Sequence, residues 1–171
     1  MHAHSFKIVL RIVFFMRFLR VSWAEAIRLS RKLAGKVKRS GFKPDVLVLV
    51  LRGGAVPGRV LSDELGNLCL HAMKIEFYTG LGETAKKPRV TQFPGVSVKG
   101  KKVLLIDDVS DTGESLLEAK KALKGAREVR IACLHFKPHS KLKPDYFVGK
   151  TSAWIVYPWE VVETREKLRK K

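Results

Sequence analysis

Hydrophobic positions along this chain follow two rhythms that take turns. From Trp23 to about Arg39 the apolar residues Trp23, Ala26, Ile27, Ala34 and Val37 recur near the helical period. Arg28, Arg31, Lys32, Lys36 and Lys38 fill the other side, which predicts an amphipathic helix packed by one face. Ser22-Trp23-Ala24-Glu25 supplies the capping box that starts it. After Gly41 and Pro44, Val46 to Leu51 is an unbroken run rich in β-branched residues, the pattern of a strand buried on both faces of a parallel sheet. Pro57 opens a short helix over Gly58 to Leu65, and Leu70 to Phe77 reads as a second strand. Val103 to Ile106 and Val129 to Phe136 are two more strands, with a helix over Leu116 to Leu123 between them. The alternation predicts the α/β class: a central parallel sheet flanked by helices, with ligands beyond the carboxyl ends of the strands. Residues 79–100 are long for a passive connection in a compact domain, so a mobile or functional loop is expected there.

Length and charge refine this picture. A chain of 171 residues fits one domain, expected over 21–171 with residues 1–20 as an N-terminal extension. The apolar run Phe6 to Leu19 is 14 residues long and is broken by Lys7, Arg11 and Arg17. A spanning helix needs about 20 apolar residues, and the arginines interrupt the core of a secretion signal. The expectation is a cytoplasmic protein without a membrane partner, and Met16 is an alternative initiator. The net charge is +18, and residues 1–43 hold eleven Lys or Arg against the single acid Glu25, +10 of that excess. A solvated basic helix face is the simpler account of the cluster, and an anionic partner such as RNA or a lipid surface the lesser one. Cys69 and Cys133 lack metal-site spacing and read as buried free thiols. The five histidines show no ligand spacing either, so His135 and His139 read as structural or incidental. One Asn and one Gln beside abundant Lys and Arg fit a thermophilic source.

The chemistry is concentrated in Val103-Leu104-Leu105-Ile106-Asp107-Asp108-Val109-Ser110-Asp111-Thr112-Gly113-Glu114-Ser115. A buried strand delivers two acids, then a small polar turn enters a helix. The hydroxyls of Ser110, Thr112 and Ser115, with backbone N–H groups at the helix N-terminus, suit a phosphate monoester. Gly113 lets the backbone come close. Asp107 and Asp108 repel phosphate but accept hydrogen bonds from vicinal sugar hydroxyls or help to position Mg²⁺. Phosphate at one end and hydroxyl acceptors at the other describe a ribose 5-phosphate.

This segment resembles the phosphoribosyl pyrophosphate signature of the type I phosphoribosyltransferases, and the C-terminal half resembles the 6-oxopurine branch, over roughly Val21 to Glu160. The resemblance implies transfer of the 5-phosphoribosyl group from phosphoribosyl pyrophosphate to hypoxanthine, guanine or xanthine. It implies that Asp107 to Ser115, with Val109 and Glu114 included, bind the donor, and that Arg52, Gly53 and Gly54 hold its diphosphate around a cis Arg-Gly peptide. Asp111 is implied as the catalytic carboxylate that handles a proton at the purine N7, and Lys137 as the donor to O6. Trp154 would stack on the base and Ile155 read its position 2 through main-chain groups. Trp159 is better read as core packing. Val156 and Tyr157 stand where the bacterial xanthine-guanine enzymes carry polar side chains, which leaves the order of bases open.

The resemblance further implies a base-binding hood at about 137–160, a flap at 79–100 with Lys86, Lys87 and Arg89 as candidate diphosphate contacts, and Mg²⁺ held mainly on the donor with Asp108 nearby. A homo-oligomer, dimer or tetramer, is also implied. The competing expectation is a non-catalytic regulator that senses the donor and binds nucleic acid through its basic N-terminal quarter. Asp111, Lys137 and Trp154 argue against it, since a sensor needs none of them.

Overall fold

The computed structural model describes residues 17–79 and 86–169. The greater part of the apolar run from Phe6, the alternative start at Met16, and His2 and His4 lie outside them. The described chain forms two compact units. The larger is Ile27–Thr151, and the smaller joins the described residues before Ile27 to those from Ser152 onward.

In the larger unit, β2 (Val46–Leu51) is flanked in parallel by β3 (Leu70–Thr79) and β5 (Lys102–Ser110). The sheet continues through β6 (Glu128–Phe136) to β7 (Tyr146–Lys150), also in parallel. Its order is β4-β3-β2-β5-β6-β7. The expected parallel sheet is therefore present, with an antiparallel strand at one edge. That strand, β4 (Lys86–Gln92), pairs with β3 and occupies a stretch the sequence pattern leaves in the loop. Its Lys-Lys-Pro-Arg sequence has no alternating apolar signal because it lies at an edge. Pro88, opposite Phe77, is tolerated there since one side of an edge strand needs no ladder donor.

The central strands are apolar throughout because helices cover the sheet. Val46, Val48, Val50, Met73, Val103, Leu105, Ile131 and Cys133 gather with Leu116 and Ala119 of α3 (Glu114–Ala122), and with Leu123 just after it, into one core. The helix α2 (Ala55–Leu65) begins three residues earlier than the pattern suggests and packs on β2 and β5. Gly58 makes that packing possible, for a Cβ there would lie 1.8 Å from Leu49 Cδ2.

The helix α1 (Trp23–Arg39) has the expected limits, and the backbone N–H of Glu25 donates to Ser22 Oγ at 3.2 Å as its cap. Its buried stripe is Ala26, Leu29, Ser30, Leu33, Ala34 and Val37. Trp23, expected on that stripe, is 56% exposed. Within the larger unit, Arg31 of the basic face pairs with Glu64 and Lys36 donates to the Phe147 carbonyl at 2.6 Å, so part of the positive charge is used internally.

The smaller unit contains β1 (Phe18–Arg20) paired in parallel with β8 (Trp154–Val156), followed by α4 (Val161–Arg169). Residues 18–20 are thus a strand of this unit and not an appendage. Their pairing partner lies far away in sequence, which is why local pattern missed it. Tyr157 is fully buried here, with Trp159 stacked on its ring at 4.8 Å and Trp23 tilted against Trp159 at 5.8 Å. Among the described residues no helix is long and apolar enough to cross a membrane.

Candidate functional site

From β2 the chain turns to β3 on one side, while β5, on the other side, leads on to β6. The carboxyl ends of β2 and β5 therefore meet where the winding reverses, the place at which open α/β sheets leave a crevice for ligands. Leu49 lies opposite Ile106, so the chain after Leu51 and the acids after Ile106 emerge side by side.

Arg52, Gly53 and Gly54 form the turn between β2 and α2, with Arg52 exposed. The Leu51–Arg52 peptide is cis, one bond before the Arg52–Gly53 bond at which it was expected. Both glycines are required by crowding. A Cβ at Gly53 would come within 2.5–2.6 Å of the Asp108 carboxylate atoms, and one at Gly54 within 2.3 Å of the Ile106 carbonyl oxygen. The glycine turn and the second acid of the motif are thus in direct contact.

The strand β5 runs on through Asp107 to Ser110 instead of ending at Ile106, because β6 continues to pair with it as far as Ser110 opposite Phe136. Alternation turns Asp108 and Ser110 to one face and Asp107 and Val109 to the other. Asp108 is 5% exposed, and its backbone N–H donates to Asp107 Oδ1 at 2.9 Å. Burial, with the charges of Asp107 and Asp108 beside it, pushes the Cys133 thiol well above its ordinary range.

Ser110 departs from expectation. Its side chain is buried, and its hydroxyl donates to the Leu142 carbonyl and lies 2.8 Å from Ser140 Oγ. The extension of β5 turns it inward, so it braces the turn from within and does not present a hydroxyl to solvent. Thr112, exposed, and Ser115, half-buried, remain at the surface of the turn.

Gly113 begins α3 with φ +81°, a left-handed conformation that favours glycine. A Cβ there would also lie 2.6 Å from Ser140 Oγ and 2.8 Å from the Leu142 nitrogen. The segment 137–142 therefore lies directly against the turn. The Lys141 N–H donates to the Thr112 carbonyl at 2.9 Å, and its ammonium pairs with Glu114 at 2.6 Å.

At the start of that segment, Lys137 follows β6 and its N–H donates to the Ser110 carbonyl. Its side chain is 9% exposed, and its ammonium donates to Asp111 Oδ2 at 3.0 Å. A buried cation needs such a partner. Asp111 is 48% exposed and receives a second contact, His139 Nε2 on Oδ1 at 3.1 Å. The structure thus brings Asp111 and Lys137 together and adds His139, which sequence reasoning passed over. The one available signal was its position two residues beyond Lys137, across Pro138.

Trp154 and Ile155 belong to the smaller unit. Trp154 is half-buried and donates its N–H to the Arg17 carbonyl at 2.8 Å, while the Ile155 side chain is buried. Lys87 and Arg89 are placed on β4.

Residues 22–165 match the family described as phosphoribosyl transferase domain. Over 84% of this chain and 94% of its own, a purine phosphoribosyltransferase from Pyrococcus horikoshii is 38% identical, with a TM-score of 0.77. The xanthine-guanine-hypoxanthine phosphoribosyltransferase of Helicobacter pylori is 25% identical over 88% of this chain and 98% of its own, with a TM-score of 0.74. A xanthine-guanine phosphoribosyltransferase of Gluconobacter oxydans is 26% identical over 147 residues, 85% of this chain and 86% of that one. A match that runs through the glycine turn, the acidic strand end and the Lys137 segment together reaches beyond a shared sheet order, and the chain belongs to the phosphoribosyl transferase domain family.

Proposed function

We propose that the chain is a purine phosphoribosyltransferase that moves the 5-phosphoribosyl group of phosphoribosyl pyrophosphate onto N9 of a 6-oxopurine. The bond from ribose C1′ to the diphosphate oxygen breaks, the bond from C1′ to N9 forms, and diphosphate leaves with the bonding pair. The purine releases one proton. The observation that carries this reading is the contact of the Gly53 turn with Asp108 in a chain whose Asp111 and Lys137 pair one turn further on. The purine enzymes to which it is similar support the choice of base class.

In this reading the N–H groups opening α3, with Thr112 and Ser115, hold the 5-phosphate. Asp107 and Asp108 accept hydrogen bonds from the ribose hydroxyls, and Gly53 and Gly54 offer backbone N–H groups to diphosphate, with Arg52 lending charge. Asp111 takes up the proton at the purine N7, and Lys137 donates to O6, which adenine does not offer as an acceptor. Trp154 and Ile155 stack on and read the base. These groups act by orienting two substrates and by stabilising the charge on the leaving group.

Mg²⁺ fits the residues present. Among the described residues no group of three or more His, Cys, Asp or Glu could cage a metal. Mg²⁺ ordinarily takes only one or two carboxylates and completes its shell with substrate phosphates and water. In this reading the donor would carry most of the shell, and Asp108, against the glycine turn, would supply the carboxylate. The ion neutralises diphosphate charge when bound.

The test mixes the full chain with Mg²⁺ and phosphoribosyl pyrophosphate and supplies hypoxanthine, guanine, xanthine or adenine singly. Diphosphate and nucleotide are followed at elevated temperature. Nucleotide from the 6-oxopurines and none from adenine is expected, while donor binding without turnover of any base would leave the sensor reading in its place.

A further inference from the structure

The Asp111 carboxylate has two oxygens, and the structure assigns a different cation or donor to each. Lys137 Nζ holds Oδ2 at 3.0 Å and His139 Nε2 holds Oδ1 at 3.1 Å. A carboxylate only accepts, so the His139 Nε2 carries the hydrogen and donates. The imidazole rides on a segment tied down at several points. The Ser140 N–H donates to the Lys137 carbonyl at 3.0 Å and the Lys141 N–H to the Thr112 carbonyl at 2.9 Å. Ser140 Oγ lies 2.8 Å from Ser110 Oγ and donates to the Leu142 carbonyl. His139 itself is 57% exposed and lines no core.

We propose that His139 is a positioning residue for Asp111. The inference rests on the reading of Asp111 and Lys137 as the groups that meet the purine. Under that reading the two partners of the carboxylate have different fates. Lys137 must turn its ammonium toward the base oxygen, and Asp111 Oδ2 then loses the partner that holds it in the ligand-free chain. His139 keeps Oδ1 fixed through that exchange, so that the half-exposed carboxylate stays aimed while its other oxygen meets the base. Misplacing a reacting group by about 1 Å can lower a rate roughly 100-fold, and one charge-assisted hydrogen bond at a half-exposed site accounts for a fraction of that, about fivefold.

The experiment compares H139A, H139Q and D111A in the full chain, with Mg²⁺, saturating phosphoribosyl pyrophosphate and the 6-oxopurine that the unaltered protein turns over fastest. H139A is expected to lower kcat about fivefold, with the KM for phosphoribosyl pyrophosphate and the melting temperature unchanged. H139Q, whose amide N–H can still donate to Oδ1, is expected to recover most of the rate. Unchanged kcat in H139A, a loss confined to the donor KM, or an H139Q as slow as H139A would overturn the inference. D111A separates the two levels: if it is inactive while H139A is not slowed, only the role of His139 fails. If D111A itself keeps the full rate, the reading of Asp111 fails and the proposal with it.

Discussion

Replacing Gly53 by alanine tests the contact on which the donor site depends. The added methyl would sit 2.5 Å from Asp108 Oδ1 and 2.6 Å from both Cγ and Oδ2. Ordinary contact begins at 3.4 Å, so it falls about 0.9 Å short at three atoms together. Asp108 has no room to retreat as a whole. It is 5% exposed on a strand paired with β2 on one side and β6 on the other, so the carboxylate must rotate or the turn must lift. Forcing extra volume into a packed site costs about 1–3 kcal/mol. In a domain of this size each kcal/mol lowers the melting temperature by roughly 2–4 °C, so a fall of about 5 °C is expected. The kinetic effect should be larger, because the displacement approaches 1 Å at groups assigned to ribose and diphosphate, with kcat/KM for phosphoribosyl pyrophosphate down roughly 100-fold. Initial-rate assays varying the donor, beside thermal melts, measure both. Gly125→Ala is the control, since it lies outside the 79–100 segment and a Cβ there comes no nearer than 4.0 Å to its closest neighbour. A G53A protein with unaltered donor KM and melting temperature would show that the turn has room to spare, and the argument from close approach would fail.

Gly113→Ala should be at least as damaging to stability, for it combines a left-handed φ of +81° with a Cβ 2.6 Å from Ser140 Oγ; thermal melts should fall by several degrees, and a neutral result would refute the requirement for glycine. Ser110→Ala should lower stability by about 0.5–1.5 kcal/mol, since it removes one of the two hydroxyls that donate to the Leu142 carbonyl, and denaturant unfolding measures this. A direct phosphate ligand would instead give a large loss of donor affinity with little loss of stability. Cys133, with its thiol raised well above 9.0, stays protonated in the folded state while the unfolded chain ionises. Its contribution to stability is therefore full below about pH 9 and is lost as pH rises above it. A thiol reagent at pH 8 should modify half-buried Cys69 before Cys133, which should react only on unfolding; equal rates would contradict the burial.

Much of the fold was legible because it rests on local signals. The run Val46 to Leu51 could only be a doubly covered strand, and the charge and capping pattern around Trp23 to Arg39 set that helix to the residue. The order of acids and hydroxyls around Gly113, from Asp107 to Ser115, pointed to a phosphoribosyl site from local sequence alone. Other features had no local trace. The edge strand β4 and the pairing of Phe18–Arg20 with Trp154–Val156 depend on backbone partners distant in sequence, and their own composition is too charged or too short to announce them. The inward turn of Ser110 came from the continued pairing of β5 with β6 beyond Ile106, since each residue added to a strand reverses the face of the next. His139 became visible only when the segment after β6 folded back onto the turn after β5. By itself the sequence determined which chemical groups this protein carries and the order of its strands and helices, because periodicity and capping act over a few residues. Which of those groups face one another was decided by the tertiary structure alone, because strand register and loop contacts join residues that the chain keeps apart.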